Sequence, residues 1–149
     1  EGKARPPIPP GNKACRKQAK LLSLDGSHAL PVNGGTQFPR LGVDGNPNTC
    51  AQAAGEWPWT YEVDLVDTVH ITRIKVHFGS GYATQFALRV SADGKEWKTV
   101  AQKSEHDGKP FEAAFDPVPA RYVRVCAQKP DGPDQPGGQM AITELEVYE

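Results

Sequence analysis

Two segments of the chain alternate strictly between apolar and polar residues, a period of two that is typical of half-buried β-strands. They span residues 71–78 and 85–91. In the first segment the polar face carries Arg73, Lys75 and His77. The residues predicted to face the core are Ile74, Val76 and Phe78 in the first segment, and Phe86, Leu88 and Val90 in the second.

Further strands and turns indicate an all-β fold. Residues 122–126 and 142–148 are half-buried by the same criterion, and the pair Asp93-Gly94 supplies the positive φ of a tight turn. The 15 glycines and 14 prolines also favour short strands and many turns. The one stretch with helical character, residues 17–22, is too short to form an element of a domain. We therefore predict a sandwich or barrel of antiparallel strands.

Length and charge limit the organisation of the chain and its partners. The 149 residues are enough for one domain with a sizeable core. A formal net charge of −1, with 23% charged residues, offers no basic field, so nucleic acid is not an expected partner. No apolar run approaches the roughly 18 residues that a membrane helix needs, so the chain is not expected to span a bilayer.

The N-terminal residues predict a tether. The proline cluster within residues 6–10 favours extended polyproline geometry, which is typical of a semi-rigid linker. We predict that residues 1–14 are a proline-rich linker or tail and that residues 15–149 form one module, tethered to other domains of a parent chain. The sequence begins at Glu1 with no Met and no signal-peptide pattern, so either a leader has been removed or the chain is a segment of something longer.

Three cysteines, Cys15, Cys50 and Cys126, form no Cys-x-x-Cys pair, and this spacing does not favour a zinc site. One disulfide with one free thiol would suit an oxidising compartment. Three buried, reduced thiols are the alternative, and the spacing leaves both open.

The loop at residues 41–49 concentrates oxygen ligands and turn-forming residues. Calcium takes six to eight such oxygens in flexible geometry. A glycine and a proline bend the chain so that successive carbonyls can converge. A β-turn whose side chains cap backbone amides without any metal is the alternative. The side chains that offer oxygen are Asp44, Asn46, Asn48 and Thr49.

From about residue 20 to residue 148, the order of short motifs resembles the discoidin domain, also called the coagulation factor V/VIII type C domain. Its bacterial relatives are the family 32 carbohydrate-binding modules. The resemblance implies an antiparallel jelly-roll β-sandwich of about eight strands, with its termini close together and variable loops at one end. The motifs are residues 44–46 with Thr49, then 63–65, 74–76, Tyr82 with Phe86, 91–97, 120–125 and 144–147.

The resemblance also implies a structural calcium ion that fixes the 41–49 loop to the last strand. Two carboxylates brought together by the fold would repel each other without a cation. The chain departs from the family at two points. Cys15 has no cysteine partner near the C-terminus, and Val66 replaces the glycine that commonly follows the strand at 63–65. The implied ligands are the Leu41 carbonyl, Asp44, Asn46, Thr49 and Glu144.

A sugar site needs an aromatic plane and a few polar groups. Four loops are candidates, at residues 25–39, 50–58, 79–84 and 128–139. Trp57 is either a stacking platform or a lid on the core. Trp59 and Trp97 are expected in the core, and the other histidines are expected to face outward or lie in turns. Tyr82 could instead pack under its turn, and His28 could be a solvated histidine. The predicted ligand-binding residues are Trp57, Tyr82, His28 and Gln52.

The chain contains no nucleophile elbow, no metalloprotease helix and no phosphate loop, so we do not expect an enzyme. The leading hypothesis is a non-catalytic carbohydrate-binding module, secreted, extracellular or periplasmic, that tethers a larger parent protein to a glycan or carbohydrate polymer. The alternative is a protein–protein interaction or assembly module of a secreted multidomain protein. The histidine spacing disfavours fucose, and the polar loops disfavour membrane insertion.

Overall fold

The computed structural model describes residues 11–27, 29, 39–46, 48–51, 59–79, 82–129 and 141–149. No helix within these residues is long and apolar enough to cross a membrane. A 3₁₀ helix covers Pro39–Gly42. The strands are β1 (Gln18–Ser23), β2 (Trp59–Phe78), β3 (Gln85–Ser91), β4 (Lys98–Lys103), β5 (Phe111–Lys129) and β6 (Ile142–Tyr148).

All pairings are antiparallel, in the order β1-β2-β5-β3-β4, with β6 paired to β2. β2 and β5 are long and bend together, with a register shift between Asp64 and Val69. The first half of β2 pairs with β1 and the second half of β5, whereas its second half pairs with β6 and the first half of β5. β2 and β5 therefore contribute to both layers of a sandwich. The described residues form six strands where about eight were expected, because β2 and β5 each serve both the larger and the smaller layer.

The core lies between the layers and is filled by alternate residues of each strand, as the sequence predicts. Ile74, Val76, Phe86 and Leu88 are fully buried, and Phe78 packs against the same cluster. This pattern confirms the predicted faces of β2 and β3 because side chains of a strand point alternately to its two sides. The prediction that Trp59 belongs to the core is also confirmed.

Trp97, which we expected in the core, is half-buried and lies outside it. The residue follows the turn after β3 and precedes β4, so the alternation of neither strand fixes its side. Its ring instead covers the guanidinium of Arg124, with 3.8 Å between Arg124 Cζ and the ring centroid.

One local prediction from the sequence, a turn, is confirmed, and the segment with helical character is instead a strand. Gly94 has a φ of +79°, as predicted for the Asp93-Gly94 turn. Most of the stretch with helical character belongs to β1. Its register with β2 explains this, since β1 completes the edge of the larger layer.

The start of the described chain packs against β6. The side chain of Asn12 accepts hydrogen bonds from the backbone N–H groups of Ala14 and Val147, both at 3.0 Å, and Ala14 is fully buried. Residues 1–10 lie outside the described residues, so the linker stays a prediction.

The strand registers bring several loops to one end of the sandwich. The end of β4 lies beside the start of β3, and the end of β2 lies beside the start of β6. The backbone N–H of His106 donates to the Thr84 carbonyl at 2.9 Å and joins two of these loops. We call residues 79, 82–84 and 104–110 the loop end.

Candidate functional site

The structure brings the predicted calcium ligands of the 41–49 loop together around Thr49. The Thr49 hydroxyl donates to Asp44 Oδ2 at 2.6 Å. The Thr49 hydroxyl oxygen also lies 3.1 Å from the carbonyl oxygen of Asn46 and 3.5 Å from the carbonyl oxygen of Leu41. Oxygen atoms of four predicted ligands therefore converge within one turn of the chain.

Glu144 joins this group from β6. Its Oε1 accepts a hydrogen bond of 3.1 Å from the backbone N–H of Gly45, across the interface between loop and strand. The residue is only 9% exposed. Its second oxygen, Oε2, is buried and has no hydrogen-bond partner among the described residues. A buried carboxylate oxygen left in this way is costly unless a proton or a cation compensates it.

The electrostatics of the site also indicate that Glu144 needs a proton or a cation. Burial raises the pKa of Glu144 to about 8, and the negative charges of Asp44 and Glu146 add to the rise, against a lowering by the Gly45 hydrogen bond. Tyr61 lies beneath the loop, and burial followed by the charge of Glu144 raises the pKa of its hydroxyl. The pocket therefore favours positive charge.

Two glycines shape the loop. Gly45 has a φ of +76°, a conformation that other residues rarely adopt. A Cβ at Gly42 would lie 2.5 Å from the hydroxyl oxygen of Tyr61, so only glycine allows the loop to approach this ring so closely.

The loop also caps itself, as the metal-free alternative expected. Asp44 Oδ1 accepts from the backbone N–H of Asn46 at 3.0 Å, and Asn46 Oδ1 accepts from that of Asn48 at 2.9 Å. These bonds satisfy Asp44 but leave Glu144 uncompensated. The donor set fits a hard cation because every available ligand is an oxygen. The described residues hold no group of three or more His, Cys, Asp or Glu suited to a metal, so carbonyl and hydroxyl oxygens would have to complete the shell.

The predicted ligand-binding residues His28, Gln52 and Trp57 lie outside the described residues. Tyr82 is described, at the loop end, and is half-buried. Its ring meets the edge of His106 with 6.2 Å between centroids, and a Cβ at Gly108 would lie 2.7 Å from Tyr82 Cδ1. Tyr82 thus packs against the 104–110 loop, which fixes its ring at this end of the sandwich.

His106 was expected as an outward-facing or turn residue; it lies in the connection between β4 and β5, but it does not face outward. It is 6% exposed and lies among the rings of Phe78, Phe86 and Phe111. Both ring nitrogens are buried without a hydrogen-bond partner in the described chain, and burial lowers the pKa of the imidazole. No periodicity marks residues 104–110, so the sequence carries no signal for this burial.

All three cysteines, Cys15, Cys50 and Cys126, are free thiols in the structure. Burial is the main cause that raises the pKa of each. At Cys15 the charge of Glu144 adds to the rise, and the neighbouring Arg16 donates its backbone N–H to the Val43 carbonyl of the 41–49 loop at 2.6 Å.

The profile of a family described as NedA-like, galactose-binding domains, of the F5/F8 type C group, matches residues 41–125, more than half of the chain. This confirms the resemblance inferred from the motifs. No curated protein sequence matches the chain.

Solved structures share the fold over nearly the whole chain. Chitosan-binding module 1 of a chitosanase/glucanase from Paenibacillus sp. IK-5 superposes with a TM-score of 0.79 and 26% identity, covering 93% of this chain and 98% of that one. Module 2 of that enzyme, solved with chitotriose, gives 0.78 and 26%, covering 93% and 100%. The family 32 module of NanJ from C. perfringens, solved with galactose, shares the fold at 0.71 and 21%, covering 90% and 94%.

Proposed function

Because the chain belongs to the family of NedA-like, galactose-binding domains, we propose that it is a non-catalytic carbohydrate-binding module. One observation carries the proposal. Two chitosan-binding modules match almost end to end, with 93% of this chain aligned to 98% and 100% of theirs, so the likeness covers a complete binding unit. The module would hold a larger parent protein against a glycan.

We place the glycan at the loop end. Tyr82 supports this position because its half-buried ring is held there by His106 and Gly108. A rigid aromatic ring loses little conformational freedom when a sugar packs on it. Trp57 would supply the main stacking surface, and His28 and Gln52 would orient the hydroxyl groups. The oligosaccharides to test first are chitotriose and its deacetylated counterpart, since chitosan-binding modules are among the structural relatives.

We further propose a structural calcium ion at the 41–49 loop, held by the Leu41 carbonyl, Asp44, Asn46, Thr49 and Glu144. The support is the buried, unpartnered Oε2 of Glu144 and the raised pKa of this carboxyl group, about 8. When bound, the ion supplies positive charge that neutralises the two carboxylates. The protein's own residues fix the loop to β6, and no catalytic role is assigned to the ion.

Tethering and location are part of the same proposal. The proline cluster at residues 6–10 supports a semi-rigid connection to other domains of a parent chain. A glycan target supports a secreted, extracellular or periplasmic protein.

Titration calorimetry with chitotriose, its deacetylated counterpart and galactose tests the proposal. We expect saturable binding to at least one of them, and we expect Trp57→Ala to weaken it at least about tenfold, the loss of roughly 1.4 kcal/mol of contact energy. Trp97→Ala is the matched control because Trp97 lies beyond the loop end, and it should bind within about twofold of wild type.

The absence of binding to all three sugars and to a glycan array, with and without calcium, would overturn the proposal in favour of a protein-interaction module. Equal losses in Trp57→Ala and Trp97→Ala would overturn the placement at the loop end. Circular dichroism of each variant establishes that it folds.

A further inference from the structure

The outer face of the larger layer carries a cleft that neither the loop end nor the 41–49 loop uses. It lies between two turns, residues 23–27 and residues 92–97, and has a volume of about 400 Å³. We call it the cationic cleft because three cations line it against two carboxylates, Lys20, Lys95 and Arg124 against Glu62 and Asp93.

The register of the strands concentrates positive charge at this cleft. Lys20 on β1 lies directly opposite Glu62 on β2, and Glu62 lies opposite Arg124 on β5. Arg124 in turn lies opposite Arg89 on β3. Like charges at directly opposed positions of a sheet repel each other. Arg89 does not line the cleft, whereas Lys95 and Asp93 do, so three cations face two carboxylates there.

The two carboxylates at the cleft are held by hydrogen bonds, Glu62 by a cation and Asp93 by backbone amides that keep it ionised. Glu62 forms an ion pair of 2.8 Å with Nε of Arg124, and the two side chains are only 11% and 15% exposed. Asp93 Oδ1 accepts hydrogen bonds from the backbone N–H groups of Glu96 and Lys95, which hold the pKa of Asp93 below its usual range. Lys20 and Lys95 form no ion pair with any residue that the structure describes. Their charges are available to an anion.

Aromatic rings and glycines give the cleft its shape. The Trp97 ring covers the guanidinium of Arg124 from one side, and the Tyr122 ring lies beside it with 6.4 Å between the ring centroids. A Cβ at Gly26 would lie 2.6 Å from Nη1 of Arg124, and one at Gly94 would lie 3.3 Å from Cε2 of Tyr122. The two glycines thus let the turns approach closely, Gly26 against the guanidinium of Arg124 and Gly94 against the ring of Tyr122.

We propose that the cationic cleft binds an anionic sugar residue, a pyranose that carries a carboxylate or a sulfate group. The sugar ring packs on Tyr122, which offers the apolar surface. The oxyanion lies between Lys20 and Lys95 and within reach of the outer nitrogens of Arg124, because a guanidinium fork suits planar and tetrahedral oxyanions. This site is independent of the sugar bound at the loop end.

NMR titration with two probes tests the inference, trigalacturonate for the carboxylate and a sulfated galactan trisaccharide for the sulfate. We expect saturable shifts of the amide signals of Gly26, Gly94 and Lys95 with at least one probe. Lys20→Ala combined with Lys95→Ala should weaken binding about tenfold, because two exposed charge contacts of up to about 1 kcal/mol each are lost. Raising the salt concentration should also weaken binding.

The matched control removes the same two charges from the other side of the molecule. Lys75 lies on the smaller layer, and Lys13 lies beside it. The double variant Lys13→Ala with Lys75→Ala should bind the anionic probe within about twofold of wild type. Inorganic sulfate and neutral maltotriose, each alone, should leave the three amide signals unchanged at the concentration that saturates the anionic probe.

Three outcomes would overturn the inference. They are an absence of saturable shifts with either probe, equal losses in the two double variants, and shifts of the same size with inorganic sulfate. None of them bears on the proposed glycan site, since chitotriose binding by the same samples is read from the amide signals of residues 82–84.

Discussion

At the scale of single residues, Val66 departs furthest from the conformation that its side chain favours. Its φ is +75°, it is 52% exposed, and its backbone N–H donates to Asp64 Oδ1 at 2.8 Å. A branched Cβ in the left-handed region is unfavourable by roughly 1–2 kcal/mol. Glycine adopts this conformation without strain, which agrees with the glycine that the family resemblance led us to expect here.

Replacing Val66 by glycine should therefore stabilise the protein. The strain is relieved, and the greater freedom of glycine in the unfolded chain offsets part of the gain, so we expect about 1 kcal/mol. Urea denaturation at constant pH measures the change. Thr68→Gly is the control, because Thr68 is exposed and has no positive φ, and it should lose stability. A loss of stability in Val66→Gly comparable to that in Thr68→Gly would contradict the account.

At the scale of elements, the contact between the 41–49 loop and β6 should make stability depend on pH. The folded pKa of Glu144, about 8, lies above its ordinary value of 4.5. The folded state then binds more protons than the unfolded state between these values, so the free energy of unfolding falls as pH rises through this window. A bound calcium ion replaces the proton and removes the fall.

We expect calcium to raise the melting temperature more at pH 8 than at pH 6. At pH 8 and a calcium concentration about 100 times the dissociation constant, the increase should be about 5 °C or more. Thermal melts with calcium and with EDTA at both pH values measure it.

Glu144→Gln is the control, because glutamine has the shape of glutamate but no carboxyl group that can ionise. It should lose both the pH slope and the calcium shift. An unchanged melting temperature at pH 8 after thorough metal removal would rule out the ion.

The sequence predicts those elements whose residues share one periodicity. Ile74, Phe86 and Leu88 are buried as their alternation requires, and Asp44, Thr49 and Glu144 meet because the strand order brings the last strand beside the loop. The residues of turns and connecting segments follow no such alternation, so their packing cannot be read from the sequence in this way.

The side chains that the sequence misplaces therefore lie in connecting segments. His106 and Trp97 both have amphipathic rings, and tertiary contacts alone decide where these rings go. Arg89 and Arg124 are adjacent for a further reason, the pairing of strands distant in sequence, which no local pattern reveals.

At the scale of the whole molecule, the sandwich separates its surfaces. Loops from both layers meet at the loop end, the 41–49 loop lies against β6, and the cationic cleft lies on the outer face of the larger layer. Because the two long strands β2 and β5 run through both layers, these surfaces share one rigid frame. The glycan site that we propose at the loop end is therefore built on the same two strands as the other two surfaces.

An NMR titration with chitotriose and its deacetylated counterpart tests the central claim most directly. We expect saturable shifts at the loop end, in the amide signals of residues 82–84 and 104–110, and unchanged signals at the opposite end, in residues 66–70. The absence of saturable shifts with both sugars, or shifts confined to residues 66–70, would contradict it.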